Sequence, residues 1–453
     1  MEKNSKFKRK KLLILFTAVL VFVVAYVAYF LVLEYKIHSK AREIRNTGYP
    51  SNPEELDKWY LEPPSGQNAA EFYLEAFKNF VSKPENVDEK ILIICGSGEI
   101  PAIGGIIPAD VLENAKKYLL ANRKAIDLLH KATALKTCRF PVELKDAERK
   151  LTYHSNLRQA AKLLYLDALV SAEQGDNAKA FESAMDSCRL ASSLENEPLP
   201  DAFMVQMALE HIALDNVERL LVKGCFDEKQ LKLIGQEISR FEEMKSLERA
   251  YAGERSLVLS EYYLEEFMEY AVYDFPGFVR KSHFLKQIVF FLFDASLLRM
   301  NNNLSCIGFL SELVELSKGK PEDVNEKMNK IDERIMNLPG YLFAVKIYMP
   351  HLCSITDKKI LLVSRARAVR TAVAVESYRM KNGKIPEDLA LLAPGYLDSI
   401  PVDPVNGRQV RYKKDDKGFV VYSTGADGQD NNGNTGSNRG FSQGEDFSVR
   451  IAR

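Results

Sequence analysis

Neither sign of charge dominates this chain: 62 Lys and Arg balance 62 Asp and Glu across 453 residues. A dedicated nucleic-acid binder would carry a basic surplus, so that class is set aside. Cysteine is sparse and scattered. Cys95, Cys138, Cys188, Cys225, Cys306 and Cys353 form no CxxC pair and no short spacing, which leaves disulfides and buried free thiols both open. His38, His130, His154, His211, His283 and His351 never fall at zinc-ligand spacing. No GxSxG, HExxH or Walker-type loop occurs, and the Gly/Pro-rich stretch 92–108 holds neither GxGxxG nor GxxxxGK[ST]. That stretch reads as an apolar loop. Long hydrophobic runs are nearly absent as well. Ile288–Phe293 is strongly apolar but only six residues long between Lys286 and Asp294, too short to cross a bilayer. What is left, at 46 % hydrophobic and 27 % charged residues, is a globular body with room for two or three domains.

The one long apolar run stands at the N-terminus. Leu12 to Leu33 is 22 residues without a formal charge. As a helix it reaches ~33 Å, enough for a ~30 Å hydrocarbon core. Tyr26, Tyr29 and Tyr35 crowd its far end, where aromatic rings favour the interface. A cleaved signal peptide would have a shorter apolar region and a small-residue cleavage site, so the run reads as an uncleaved signal anchor. Six basic residues precede the span (Lys3, Lys6, Lys8, Arg9, Lys10 and Lys11), while Lys36, Lys40, Arg42 and Arg45 follow it, diluted by Glu34 and Glu43. The asymmetry predicts a cytoplasmic N-terminus and an extracytoplasmic body, a single-pass protein of the inner membrane.

Beyond the anchor, helical periodicity prevails. Residues 35–108 read as a loop-rich lead-in with short helices at Glu54–Trp59 and Asn68–Phe80, and residues 109–356 as a helical array. Val111, Ala115, Tyr118, Leu119, Ala125 and Leu129 recur at helical spacing. The clearest pair lies at 153–195. Leu157, Ala160, Ala161, Leu164, Ala168 and Ala172 make one stripe, and Ala180, Ala184, Cys188, Ala191 and Leu194 a second, across a Gln174-Gly175-Asp176 turn. This pair resembles one tetratricopeptide hairpin, but no 34-residue period repeats it, so the array is irregular. Helical patterns continue at Asp201–Val222, Glu228–Glu243, Ser246–Tyr270, Phe284–Leu316 and Pro321–Met336. The predicted class is therefore mainly α: a transmembrane helix within 1–34, the helical array, and a small α+β unit at 357–453.

That last unit carries a resemblance. A helix is predicted over Asp357–Met380, its Lys358, Lys359, Arg365, Arg367, Arg370 and Arg379 taken as a solvated face. Asn382-Gly383-Lys384-Ile385-Pro386 follows, then a Leu-rich turn, then Asp403-Pro404 ahead of Gly407. Strands are predicted at Val410–Tyr412 and Gly418–Ser423, and the chain then reads Ser423-Thr424-Gly425-Ala426-Asp427-Gly428. In this order the motifs resemble the C-terminal domain of the type II secretion major pseudopilin, protein G, over roughly the last fifth of the chain. The resemblance implies a structural calcium ion in the final loop, with Asp427 and Asp446 as ligands, Ser423 supporting the turn and Asp430 able to add a carboxylate. Six glycines and four asparagines between 425 and 446 suit a loop that turns its carbonyls inward. Residues 1–34 have no prepilin-peptidase site, and some 320 residues separate the membrane helix from the module, so the resemblance implies a unit, not a pilus subunit. The whole chain also resembles a type of bacterial membrane-anchored protein sharing Asn68-Ala69-Ala70, Cys138-Arg139-Phe140-Pro141 and this ending, which brings no activity with it.

Acids on helices, such as Glu261, Glu265 and Glu266, read as solvated surface. Glu254, in Tyr251-Ala252-Gly253-Glu254-Arg255, is the one carboxylate whose apolar neighbourhood suggests burial. The sequence thus predicts a non-catalytic scaffold or interaction protein of the envelope, with protein partners and a membrane bound through residues 12–33. Its rivals are an accessory of a type II secretion or pilus-like system and an extracytoplasmic hydrolase such as a glycosidase.

Overall fold

The computed structural model describes residues 2–144, 151–260, 282, 297–415, 418–433 and 446–452. Element labels below number the described elements in chain order. Glu261, Glu265, Glu266 and Ile288–Phe293 lie outside the described residues.

Helix α1 runs unbroken from Glu2 to Asn46. The start of its apolar run is bare: Leu12, Ile14 and Phe16 are each more than 60 % exposed. Full burial begins at Leu33, and Leu33, Ala41 and Ile44 are buried with Ile37 half-buried between them. These positions recur every three or four residues, one face of a helix. The helix that leaves the apolar run is therefore the same helix that packs on the body.

Short helices α2 (Pro53–Trp59) and α3 (Ala69–Lys78) follow. Asn52 and Asn68 cap them, their Oδ1 atoms accepting from Glu55 N (2.8 Å) and Ala70 N (3.1 Å). Next come α4 (Ala109–Ala121) and α5 (Arg123–Thr133). The two stripes at 153–195 form α6 (Tyr153–Glu173) and α7 (Asn177–Ala191), antiparallel neighbours across the predicted turn. Gly175 sits there at φ +79°, a left-handed geometry that favours glycine. Asp176 caps α7 through Lys179 N at 3.1 Å. Small residues at the seam let the axes approach, and Ala160, Ala161, Ala168, Ala180 and Ala184 are all fully buried.

Helices α8 (Pro200–Lys223), α9 (Glu228–Arg240) and α10 (Lys245–Val258) extend the array. A reciprocal capping box opens α9: Asp227 accepts from Gln230 N, and Gln230 accepts from Asp227 N. After the undescribed stretch come α11 (Leu297–Leu316) and α12 (Val324–Met336), then α13, which spans Phe343–Asn382. The expected helix over Asp357–Met380 is the second half of this longer one, so position 357 falls inside a continuous element.

The solvated basic face expected on that helix is overturned. Lys359 is 1 % exposed and Arg367 8 %, and α13 packs against α8, α9, α11, α12 and the C-terminal strands. A helix packed on several sides must compensate the charges it buries, and it does. Arg365 pairs with Asp215, Arg367 and Arg370 share Glu242, and Arg367 also reaches Glu322. Lys359 donates to Phe241 O at 2.8 Å and lies 3.6 Å from Glu210.

At the C-terminus β1 (Val402–Asp403) pairs with β2 (Arg408–Gln409). A separate antiparallel sheet has the order β3 (Arg411–Asp415), β4 (Gly418–Ser423), β5 (Phe447–Ala452). Pairing of Asp415 with Gly418 makes the hairpin tighter than the predicted Lys413–Lys417 turn. The strand β5 was not expected. Its Val449 and Ile451 are buried against α13, and one apolar cluster runs from Ile44 through the array to Ile451.

Candidate functional site

The four residues of the implied calcium loop do not converge. Ser423 ends β4 facing inward, fully buried, in contact with Ser364 Oγ. It belongs to a knot built on Asp403, also fully buried, whose carboxylate accepts from Ser364 Oγ (2.6 Å), Val405 N (3.0 Å), Thr424 N (2.9 Å), Thr424 Oγ1 (2.9 Å) and Asn406 Nδ2 (3.2 Å). Asp427 closes its own turn on Gln429 N at 2.9 Å. Asp430 and Asp446 do come together. Asp430 Oδ1 accepts from Asn432 N, and its Oδ2 lies 3.0 Å from Arg411 Nε. Asp446 Oδ2 accepts from Gly433 N at 2.8 Å. Burial raises the Asp446 pKa, and the Asp430 charge adds to the rise. Asp446 Oδ1 is buried without a hydrogen-bond partner, the kind of orphaned oxygen that a cation or a water satisfies. Ser423 is thus committed to the Asp403 knot, Asp427 and Asp430 each close a local turn, and Asp430 is also paired with Arg411. Among the described residues no three His, Cys, Asp or Glu side chains gather closely enough to hold an ion.

The two sequence motifs at 68–70 and 138–141 meet. Asn68 Nδ2 donates to Arg139 O (3.0 Å), and Asn68 Oδ1 accepts from Arg139 N (2.9 Å). The Arg139 guanidinium lies over the Tyr60 ring and donates to Asp57 Oδ1 at 2.7 Å. Beneath it Tyr153 OH donates to Glu197 Oε1 (2.5 Å), and His154 Nε2 lies 3.7 Å from the same oxygen. Carboxylate, phenol and imidazole together are the raw material of acid–base catalysis. Here they are buried: Tyr60, Phe140, Tyr153 and Glu197 are at most 4 % exposed and His154 is 8 % exposed. The arrangement works as a clamp holding the lead-in against α6.

Glu254 is buried, as its neighbourhood suggested, at 1 % exposure on α10. No pair of motifs pointed to Arg255 beside it, which is 4 % exposed, lies over the Tyr49 ring and donates to Ser311 Oγ at 3.3 Å. Burial lowers its pKa. None of the six cysteines is paired with another, and burial pushes the Cys95 and Cys306 thiols up to about 12.

Two open clefts of about 530 Å³ mark the surface. One, between the α9–α10 turn, α13 and β1, is lined by Glu242, Glu322, Arg367 and Arg370. The other lies between α11 and α12, with Glu312 and Arg334 on its wall. The carboxylates of Glu242, Glu322 and Glu312 are each bound to an arginine, which ties them down as structural partners.

The remaining feature is the junction of α1 with the body. Alongside it runs α11, in the same direction: Tyr29 OH donates to Asn301 Oδ1 at 2.9 Å near one end. Near the other, Ser311 meets Arg255 and Lys318 lies over the Tyr49 ring. Sequence reading stopped the membrane segment at residue 34 and missed this seam, although the spacing of Leu33, Ile37, Ala41 and Ile44 carries it. No protein family, curated protein or solved structure matches the chain.

Proposed function

We propose that this chain is a non-catalytic, membrane-anchored scaffold or interaction protein of the bacterial envelope, held by α1 with its body on the extracytoplasmic side. One observation carries the reading: the bare apolar run of α1 continues without a break into a face packed on the body. A cleaved leader has no use for a seam with the mature protein, whereas an anchor that must hold a body at the bilayer has. The helix is apolar enough to span, with a mean hydropathy of 2.7 over its best 18-residue window. The body then offers large helical surfaces to other envelope proteins, and the cleft acids Glu242, Glu322 and Glu312 are held in pairs with arginines. A structural calcium at Asp430 and Asp446 belongs to the same reading. It would stiffen the loop ahead of β5 and take no part in chemistry.

The test is alkaline carbonate extraction of membranes from expressing cells, with the intact mass of the chain measured. Full-length protein in the carbonate-resistant pellet is expected. A soluble species beginning beyond residue 33 would overturn the proposal. Turnover of glycans or peptides, lost on substitution of one carboxylate, would favour the hydrolase instead.

The long helix α13 backing a three-stranded sheet favours a second reading, an accessory of a pilus-like system. Crosslinking in intact cells separates the two, since pilus-assembly proteins would be captured only by the accessory.

A further inference from the structure

We infer that the body touches the membrane itself: the end of the body formed by the first turn of α11 and the Gly340–Leu342 turn dips into the outer leaflet beside α1. The inference rests on the anchor reading above. The Tyr29–Asn301 hydrogen bond sets the depth. Tyr29 lies four residues before Leu33, the end of the apolar run, so Asn301 sits ~6 Å inside that end at 1.5 Å per residue. Because α11 runs parallel to α1, its residues before Asn301 lie deeper still, Leu297 by another ~6 Å. Proteins that rest in the interface without spanning it bury their apolar faces ~5–10 Å into the headgroup and acyl boundary.

Two residues at this level suit that environment. Leu298 is 38 % exposed and Tyr341 is 54 % exposed. Tyr341 is placed by its carbonyl, which accepts from Asn302 Nδ2 at 3.0 Å, one residue from the contact with Tyr29. An exposed tyrosine at the end of a membrane span is where an amphipathic ring is most favoured. On α1 itself Tyr26, Tyr29 and Phe30 are the more covered positions of the apolar run, and with Leu33 they share one helix face. The bilayer contact is thus continuous from the anchor onto the body, and the partner is the lipid surface.

The experiment uses the full chain reconstituted in vesicles of phosphatidylethanolamine and phosphatidylglycerol carrying lipid spin-labelled on the upper acyl chain. Tryptophan fluorescence is read in the wild type, Tyr29→Trp, Leu298→Trp and Tyr341→Trp. The native Trp59 stands beside Tyr49, beyond the end of α1, and supplies the unquenched baseline. Tyr341→Trp is a conservative exchange at an exposed site, so it reports even where Leu298→Trp fails to fold. Quenching of the new tryptophan in Leu298→Trp or Tyr341→Trp to the degree seen in Tyr29→Trp is the expected result. Quenching in Tyr29→Trp alone overturns the inference and leaves the anchor standing. Quenching in none of the variants overturns the anchor and the inference with it.

Discussion

Asp403 shows at the scale of one residue why a short motif is structural. Its carboxylate accepts five hydrogen bonds from the β1–β2 turn, Thr424 just after β4, and α13 while fully buried. A bond to a charged group contributes ~1.5–3 kcal/mol, and each donor orphaned by its removal costs ~1–3 kcal/mol. Asp403→Ala should therefore cost at least ~3 kcal/mol, read as a lower urea midpoint of the detergent-solubilised chain. Asp403→Asn, which turns a donor toward donors, should recover only part of it. Two histidines make opposite statements about pH. Burial, with Arg365 next to it, lowers the His211 pKa from 6.5 to about 3. Between those values the unfolded chain holds a proton that the native state does not, so stability falls as pH drops below 6.5. The short bond to Asp186 raises the His130 pKa above 6.5. Its contribution is full below 6.5 and fades as pH rises through the raised value. Urea midpoints between pH 4 and pH 8 should show a shallower acid limb in His211→Gln. In His130→Gln the loss should be larger on the acid side than at pH 8.

Helices and strands fared unevenly in the sequence, for identifiable reasons. The α6–α7 hairpin was legible because alanine stripes, a glycine at positive φ and an aspartate cap all agree. Strand β5 was hidden beside a Gly/Asn-rich stretch, although Phe447, Val449 and Ile451 alternate as a half-buried strand requires. The basic residues of α13 misled because charge alone does not show whether acids on α8 and the α9–α10 turn wait opposite. Gly253 on α10 was equally silent. A Cβ there would stand 1.9 Å from Pro198 O. Propensity favours alanine in a helix by ~1 kcal/mol, yet overpacking against backbone costs ~1–3 kcal/mol. Gly253→Ala should lower the thermal midpoint, and a rise would show that α10 and the 198 turn are further apart. For the loop ahead of β5, saturating calcium should raise the midpoint, by ~2.7 kcal/mol of stability at a hundredfold excess over the dissociation constant. Asp446→Ala should abolish the response, and a wild type indifferent to calcium and chelator would remove the ion from the account.

At the scale of the whole molecule, the apolar run of α1 and the face that packs on the body belong to one continuous helix. The apolar run was plain in composition, whereas its seam with α11 joins residues 272 positions apart in the chain, so local spacing could show a buried face but not its partner. Orientation rests on the basic residues ahead of Leu12. Protease applied to intact spheroplasts carrying an N-terminally tagged chain tests it most directly. Digestion of the body with the tag protected is the predicted result; a protected body with a digested tag would contradict it.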